Sequence, residues 1–121
     1  MTMRIGCSRA GATRLVLFIG GYVVKLPSPH SWRTFLWGLL GNMQERQFSR
    51  CGWDGLCPVI FALPGGFLNV MPRARPMTRE EWFSFDPEQF TNRQDYIIPA
   101  EHKMDSFGWL DGRVVAIDYG S

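Results

Sequence analysis

Apolar and polar positions along the chain fall into two textures. Three pairs of short apolar runs are each split by a glycine-bearing turn, and one longer stretch repeats its apolar residues at helical spacing. The first pair is Thr13 to Leu26, TRLVLFIGGYVVKL, where Gly20-Gly21 separates two β-rich runs and marks a tight hairpin. The second is PVIFAL, then Pro64-Gly65-Gly66, then FLNVM ending before Pro72. The third is Phe107 to Ser121, FGWLDGRVVAIDYGS, where Asp111 and Gly112 tolerate the positive φ of a two-residue turn and predict a strand from about Arg113 to Ile117. Between the first two pairs, Pro27-Ser28-Pro29 breaks the strand and Ser31 caps a helix predicted from Trp32 to Phe48.

The helix carries a stripe of Trp32, Phe35, Leu36, Leu39 and Met43, whose usual meaning is packing against a core. Gly38 and Gly41 each weaken it by roughly a kcal/mol relative to alanine and so need a reason. They fall on one line with Thr34 and Glu45, where a sheet can approach closely and meet the glutamate; the alternative leaves Glu45 on a wet face beside Gln44 and Arg46. Further on, Thr78-Arg79-Glu80-Glu81 is a capping-box pattern opening a short helix through Trp82 and Phe85. Asp86-Pro87 starts a turn or a second short helix, and Ile97-Ile98-Pro99 is an extended approach to the last hairpin.

These elements predict an α+β domain, an antiparallel sheet of β-hairpins packed on one long helix. At 121 residues the chain fits one unit, 1–121, with hairpins and long helix over 1–72, short helices and loop over 73–100 and the terminal hairpin over 101–121. A hydrophobic fraction of 45% against 20% charged residues excludes a disordered chain. A formal charge of +2 is too small to imply nucleic acid, and the cluster Arg73, Arg75 and Arg79 alone is the basis for such a partner. Three cysteines, Cys7, Cys51 and Cys57, are an odd number without metal-pair spacing, which argues against a disulfide scaffold or a zinc site and for a reducing cytoplasm. Trp32 to Met43, the most apolar stretch, is too short to span a bilayer and contains Arg33, and the first residues lack a signal-peptide design, so no membrane association is expected.

The candidate chemistry sits at strand ends and on one lysine. With alternating side chains, Val114, Ala116 and Asp118 share one face and Val115, Ile117 and Tyr119 the other, placing Asp118 either as a metal-holding carboxylate or as a strand cap. Lys25 shares a face with Val23 and is either edge protection or a buried ligand for phosphate or carboxylate. The segment from Gly6 to Gly11 is a possible loop of exposed backbone amides.

Taken in order, a hairpin with a lysine, a helix with a glutamate, a hairpin ending in Val70-Met71-Pro72 and a hairpin ending in an aspartate resemble the protein-kinase and aminoglycoside-phosphotransferase fold in miniature. Val23-Val24-Lys25 resembles the lysine strand of that family, Glu45 the glutamate of its following helix, and Asp118-Tyr119-Gly120 its metal-binding Asp-Phe-Gly. The resemblance implies that Lys25 contacts nucleotide phosphates, Glu45 holds the lysine, Asp118 holds magnesium and Val70-Met71-Pro72 is the hinge between lobes. It also implies an Asp and an Asn where this chain has Glu101 and Ser106, with Asp105 a substitute and His102 beside them. A base misplaced by about an ångström loses orders of magnitude in rate, and serine is a weaker magnesium ligand than an amide oxygen. The resemblance covers the family's small lobe and a stub of its large one, without the acceptor-binding helices. The whole chain also resembles small phage and prophage products.

The expected function is therefore that of a non-catalytic kinase-like protein, a phage-encoded inhibitor binding a bacterial host or defence protein in the cytoplasm, without a cofactor. Trp53, Trp82, Phe83, Arg73 and Arg75 are its candidate contacts, because tryptophan and arginine carry much of the energy at protein interfaces. The alternative is a minimal Mg-ATP-dependent phosphotransferase using Lys25, Glu45 and Asp118.

Overall fold

A computed structural model describes residues 14–119 together with the backbone of strand Met3–Gly6. The Gly6 to Gly11 loop, Cys7 and Gly120 of the Asp-Tyr-Gly motif lie outside the residues whose side chains are described. The fold is α+β, with two antiparallel sheets and one long helix. β1 (Met3–Gly6), β2 (Arg14–Ile19), β3 (Tyr22–Pro27), β4 (Phe61–Leu63) and β5 (Leu68–Pro72) form a sheet of order β1-β2-β3-β5-β4. A smaller sheet joins β6 (Arg75–Pro76), β7 (Phe107–Leu110) and β8 (Arg113–Ala116) in sequence order. Helix α1 (Trp32–Arg50) enters between β3 and β4, and two short helices, α2 (Arg79–Phe83) and α3 (Pro87–Thr91), lie between β6 and β7.

Each turn follows from its residues. In the β2–β3 hairpin Ile19 faces Tyr22 across a two-residue loop, with Gly20 at φ 58°. In the β7–β8 hairpin Asp111 and Gly112 both have positive φ, 53° and 78°, the geometry that matches the twist of the flanking strands. Ser31 caps α1 by accepting from the Thr34 amide, and Thr78 caps α2 by accepting from the Glu81 amide while the Glu81 side chain returns to the Thr78 amide. α1 runs two residues past the expected Phe48, and α2 stops at Phe83, short of the expected Phe85.

The apolar stripe expected to pack on the core does not enter it: Phe35 and Leu39 are half-buried and Trp32, Leu36 and Met43 are exposed. Gly38, Gly41, Asn42 and Glu45 are the buried positions, whereas Trp32, Leu36, Trp37, Leu40 and Met43 are 79, 57, 55, 41 and 48% exposed. The glycine line wins because α1 lies close on β3 and on the 3-10 turn Pro64–Gly66, whose Gly66 would put a Cβ 2.1 Å from the Leu39 carbonyl oxygen. The main apolar core lies elsewhere, around Met71, Met77, Ile98, Phe107, Val115 and Tyr119. Its aromatic heart is Phe85, Phe90 and Phe107, with ring centroids 5.2 to 5.6 Å apart. Among the described residues no helix is long and apolar enough to cross a membrane.

Candidate functional site

Side-chain alternation sends Arg14, Val16 and Phe18 of β2, Val23 and Lys25 of β3 and Asn69 and Met71 of β5 to one face of the large sheet, since Val16 and Asn69 both register with Lys25. At one end of that face α1 delivers Asn42 and Glu45. Lys25 Nζ lies 2.7 Å from Glu45 Oε2 and donates to the Ile117 carbonyl at 2.7 Å. β3 is an interior strand and Lys25 is buried, so edge protection is not its role, and Glu45, wholly buried, is not on a wet face.

A second cation occupies the space between the carboxylates. Arg14 Nη2 donates to Asp118 Oδ1 at 2.6 Å, and Nη1 reaches Glu45 Oε1 at 3.3 Å and Asn42 Oδ1 at 3.2 Å. Lys25, Glu45 and Asp118 are thus joined through Arg14 into a quartet of two cations and two carboxylates. Asn69 Nδ2 adds a contact to Glu45 Oε1 at 3.4 Å, and Asn42 Nδ2 donates to the carbonyls of Lys25 (3.1 Å) and Gly66 (2.9 Å). Charge balances within the cluster, the condition for holding ions out of water, while Asn69 Oδ1 is buried without a hydrogen-bond partner among the described residues.

Beside the quartet a cavity of about 350 Å³ opens between the two sheets. Val16, Phe18, Val23 and Met71 line it from the large sheet, Phe107 from the small one, and Met77, Met104 and Ile117 from adjoining segments, with Arg14, Lys25, Asp105 and Asp118 supplying its charged groups. β8 ends at Ala116 and the chain bends at Ile117 and Asp118, so both reach the cavity rather than opposite faces as strict alternation predicts. Cys57 also borders it, its thiol donating to the Pro72 carbonyl at 3.5 Å and pushed up to about 11 mainly by burial. Tyr119 donates to the Cys57 carbonyl at 2.6 Å, and burial with the Glu45 charge nearby drives its phenol well above the ordinary range.

No family model, curated protein or solved structure matches this chain. The chemistry is accordingly read from the site alone. Among the described residues no three His, Cys, Asp or Glu side chains gather as metal ligands, and Asp118 turns its near oxygen to Arg14, so the donor set does not fit a magnesium ion. Glu101 is exposed and pairs with Lys103 at 3.2 Å, Ser106 is buried, and His102 Nε2 lies 3.1 Å from Thr91 Oγ1; of this group only Asp105 reaches the cavity.

The other expected contacts are mostly engaged internally. Trp53 stacks on Tyr96 with centroids 4.6 Å apart and packs on Phe48, and Trp82 stacks on Phe107 at 6.1 Å. Arg75 forms a two-pronged pair with Glu81 at 3.1 and 2.8 Å, while Arg73 lies over the Phe18 ring and donates to the Gly20 carbonyl at 3.3 Å. Phe83 alone of the aromatic candidates is wide open, at 78% exposure. Arg14, Asn42 and Asn69 were missed by sequence reasoning. A polar residue at an inward position of an otherwise apolar strand is the signal that marks Arg14 and Asn69.

Proposed function

We propose that this protein is a non-catalytic interaction protein with a kinase-like arrangement of lysine, glutamate and aspartate, and that it acts by binding a bacterial protein, as a phage-encoded inhibitor of a host or defence factor would. The carrying observation is the outward apolar face of α1, where Trp32, Leu36, Trp37, Leu40 and Met43 stand exposed while the same helix turns its polar Asn42 and Glu45 inward. Solvent-facing apolar clusters of this kind mark interaction sites. The charged side chains exposed on α1 are both basic, Arg33 and Arg50, with neutral Gln47 beside them, which favours a partner with an acid-rimmed apolar groove. The closed quartet supports a non-catalytic role, because Arg14 already holds the carboxylate that magnesium would need.

The test compares wild type with a Trp37→Gln, Leu40→Gln variant, both exposed positions whose change leaves the core untouched. A bacterial protein retained by the wild type is identified, purified and titrated by calorimetry. The reading holds if that purified protein binds the wild type and loses at least tenfold in affinity with the equally folded variant. Equal binding by the two removes α1 as the contact surface, and no specific retention removes the interaction role.

The second reading is a Mg-ATP-dependent phosphotransferase, favoured by the 2.7 Å Lys25–Glu45 pair beside a cavity. It requires Arg14 to release Asp118. Tight Mg-ATP binding abolished by Lys25→Ala would establish it over the first.

A further inference from the structure

The cavity between the sheets has a charge pattern of its own, independent of the face of α1. Its lining is mostly aliphatic, aromatic and thioether side chains drawn from both sheets, surroundings that favour an apolar ring. Its charged end is already spoken for. Arg14 is bound to Asp118 and Glu45, and Lys25 to Glu45 and the Ile117 carbonyl, so an incoming anion gains a cation only by stripping a buried carboxylate of its partner. Asp105, in contrast, is exposed at the cavity and makes no ion pair among the described residues. Among the described residues that border the cavity, with Glu45 counted behind the wall, two cations face three carboxylates, a balance of one negative charge.

We propose that this cavity is a small-molecule site for an apolar ring compound that is uncharged or carries a single positive charge, with Asp105 receiving the cation, and that it discriminates against anions. The ring lies among Val16, Val23 and Met71 of the large-sheet lining and Met77 and Phe107. The cationic substituent points to the mouth, where Asp105 meets it in partly solvated surroundings. The quartet stays intact throughout and serves as the neutral floor of the site.

Three probes with one ring separate shape from charge: 1-naphthylmethylammonium, 1-naphthylmethanol and 1-naphthylacetate. They are titrated into the whole chain carrying methyl-labelled methionine, because Met71, Met77 and Met104 border the cavity while Met43 lies on the outer face of α1 and reports off-site binding. The three cavity methyls are expected to shift with the ammonium and the alcohol while Met43 does not. The ammonium is expected to bind about tenfold more tightly than the acetate, the scale of one partly solvated charge contact. Asp105→Asn, an exposed change that spares the fold, should bring the ammonium to the affinity of the alcohol, and Asp105→Lys should reverse the preference. Acetate binding equal to or tighter than ammonium, an unchanged preference in Asp105→Asn, shifts confined to Met43, or no shift with any probe would each overturn the proposal. Mg-ATP is run beside them; tight binding that moves the same three methyls would overturn the discrimination against anions.

Discussion

Replacing Glu45 by glutamine is the most informative single perturbation. The side chain is fully buried and accepts from Lys25 at 2.7 Å, Arg14 at 3.3 Å and Asn69 at 3.4 Å, so the change keeps the shape but removes one negative charge and replaces one acceptor oxygen, such as the one that meets Lys25, by a donor. What remains is Arg14 paired with Asp118, and Lys25 buried with only the Ile117 carbonyl. Breaking a buried pair by removing one partner costs about 3–5 kcal/mol, because the surviving charge is left uncompensated. For a domain with about 5–15 kcal/mol of total stability that is a large fraction, and the urea midpoint should fall accordingly with an unchanged m value. The double variant Lys25→Met, Glu45→Leu removes both charges and should recover most of the loss, since an apolar pair of similar volume avoids the desolvation penalty. A Glu45→Gln loss below about 1 kcal/mol, the scale of a surface pair, would refute the claim that the quartet is a closed buried unit. So would a double variant no more stable than Glu45→Gln alone.

Three further outcomes are expected. Gly66→Ala combines a φ of 81° with a Cβ placed 2.1 Å from the Leu39 carbonyl oxygen and should cost about 2–4 kcal/mol in urea unfolding, whereas Gly20→Ala, with open space around it, should cost only about 1–2 kcal/mol. Hydrogen bonds from the Arg75 side chain and then the Thr78 amide lower the Glu81 carboxyl from its ordinary 4.5 to about 2, so its support of the α2 cap is whole above about pH 4.5 and is lost as pH falls through about 2. Carbon-detected titration should find that midpoint near 2 and Arg75→Ala should raise it, while a wild-type midpoint above 4 contradicts the pair. Finally, thiol labelling of the native protein at pH 8, mapped by mass spectrometry, should modify exposed Cys51 well before Cys57, whose buried thiol is held near 11; equal rates would show that the wall around Cys57 opens readily.

The hairpins, the caps and the α+β class were legible in the sequence because each rests on local rules. Asp111-Gly112 can only turn one way, and Ser31 and Thr78 satisfy amides within three residues of themselves. The orientation of α1 was half legible. The line of Gly38, Gly41 and Glu45 indicated a close approach, but the stripe of Trp32, Leu36 and Met43 indicated burial by a rule that assumes apolar faces turn inward. The two demands lie on different sides of one helix, and only the approach of α1 to β3 and to the Pro64–Gly66 turn decides between them. Arg14 escaped notice because its meaning depends on Asp118, 104 positions away. No periodicity or spacing links such a pair, whereas the lysine and the helix glutamate stood out by their place in an ordered series. Trp53 and Trp82 were read as contacts because tryptophan carries much of the energy at interfaces, with a lid over the helix as the other reading of Trp53; Trp53 does pack on Phe48 of α1, and the stacking of the two rings on Tyr96 and Phe107 is set by where the 73–100 segment folds back.

Asn42 binds α1 to four neighbours at once: its amide reaches the carbonyls of Lys25 and Gly66, its side-chain oxygen accepts from Arg14, and its backbone carbonyl accepts from Asn69. A helix that slid along the sheet by one turn, about 5.4 Å, would bring Gly38 or Arg46 to that place and leave the Lys25 and Gly66 carbonyls without their amide donor. The helix and large sheet therefore travel as a single plate. The same plate is tied to the end of the small sheet's last strand, because Arg14 holds Asp118 and Lys25 holds the Ile117 carbonyl.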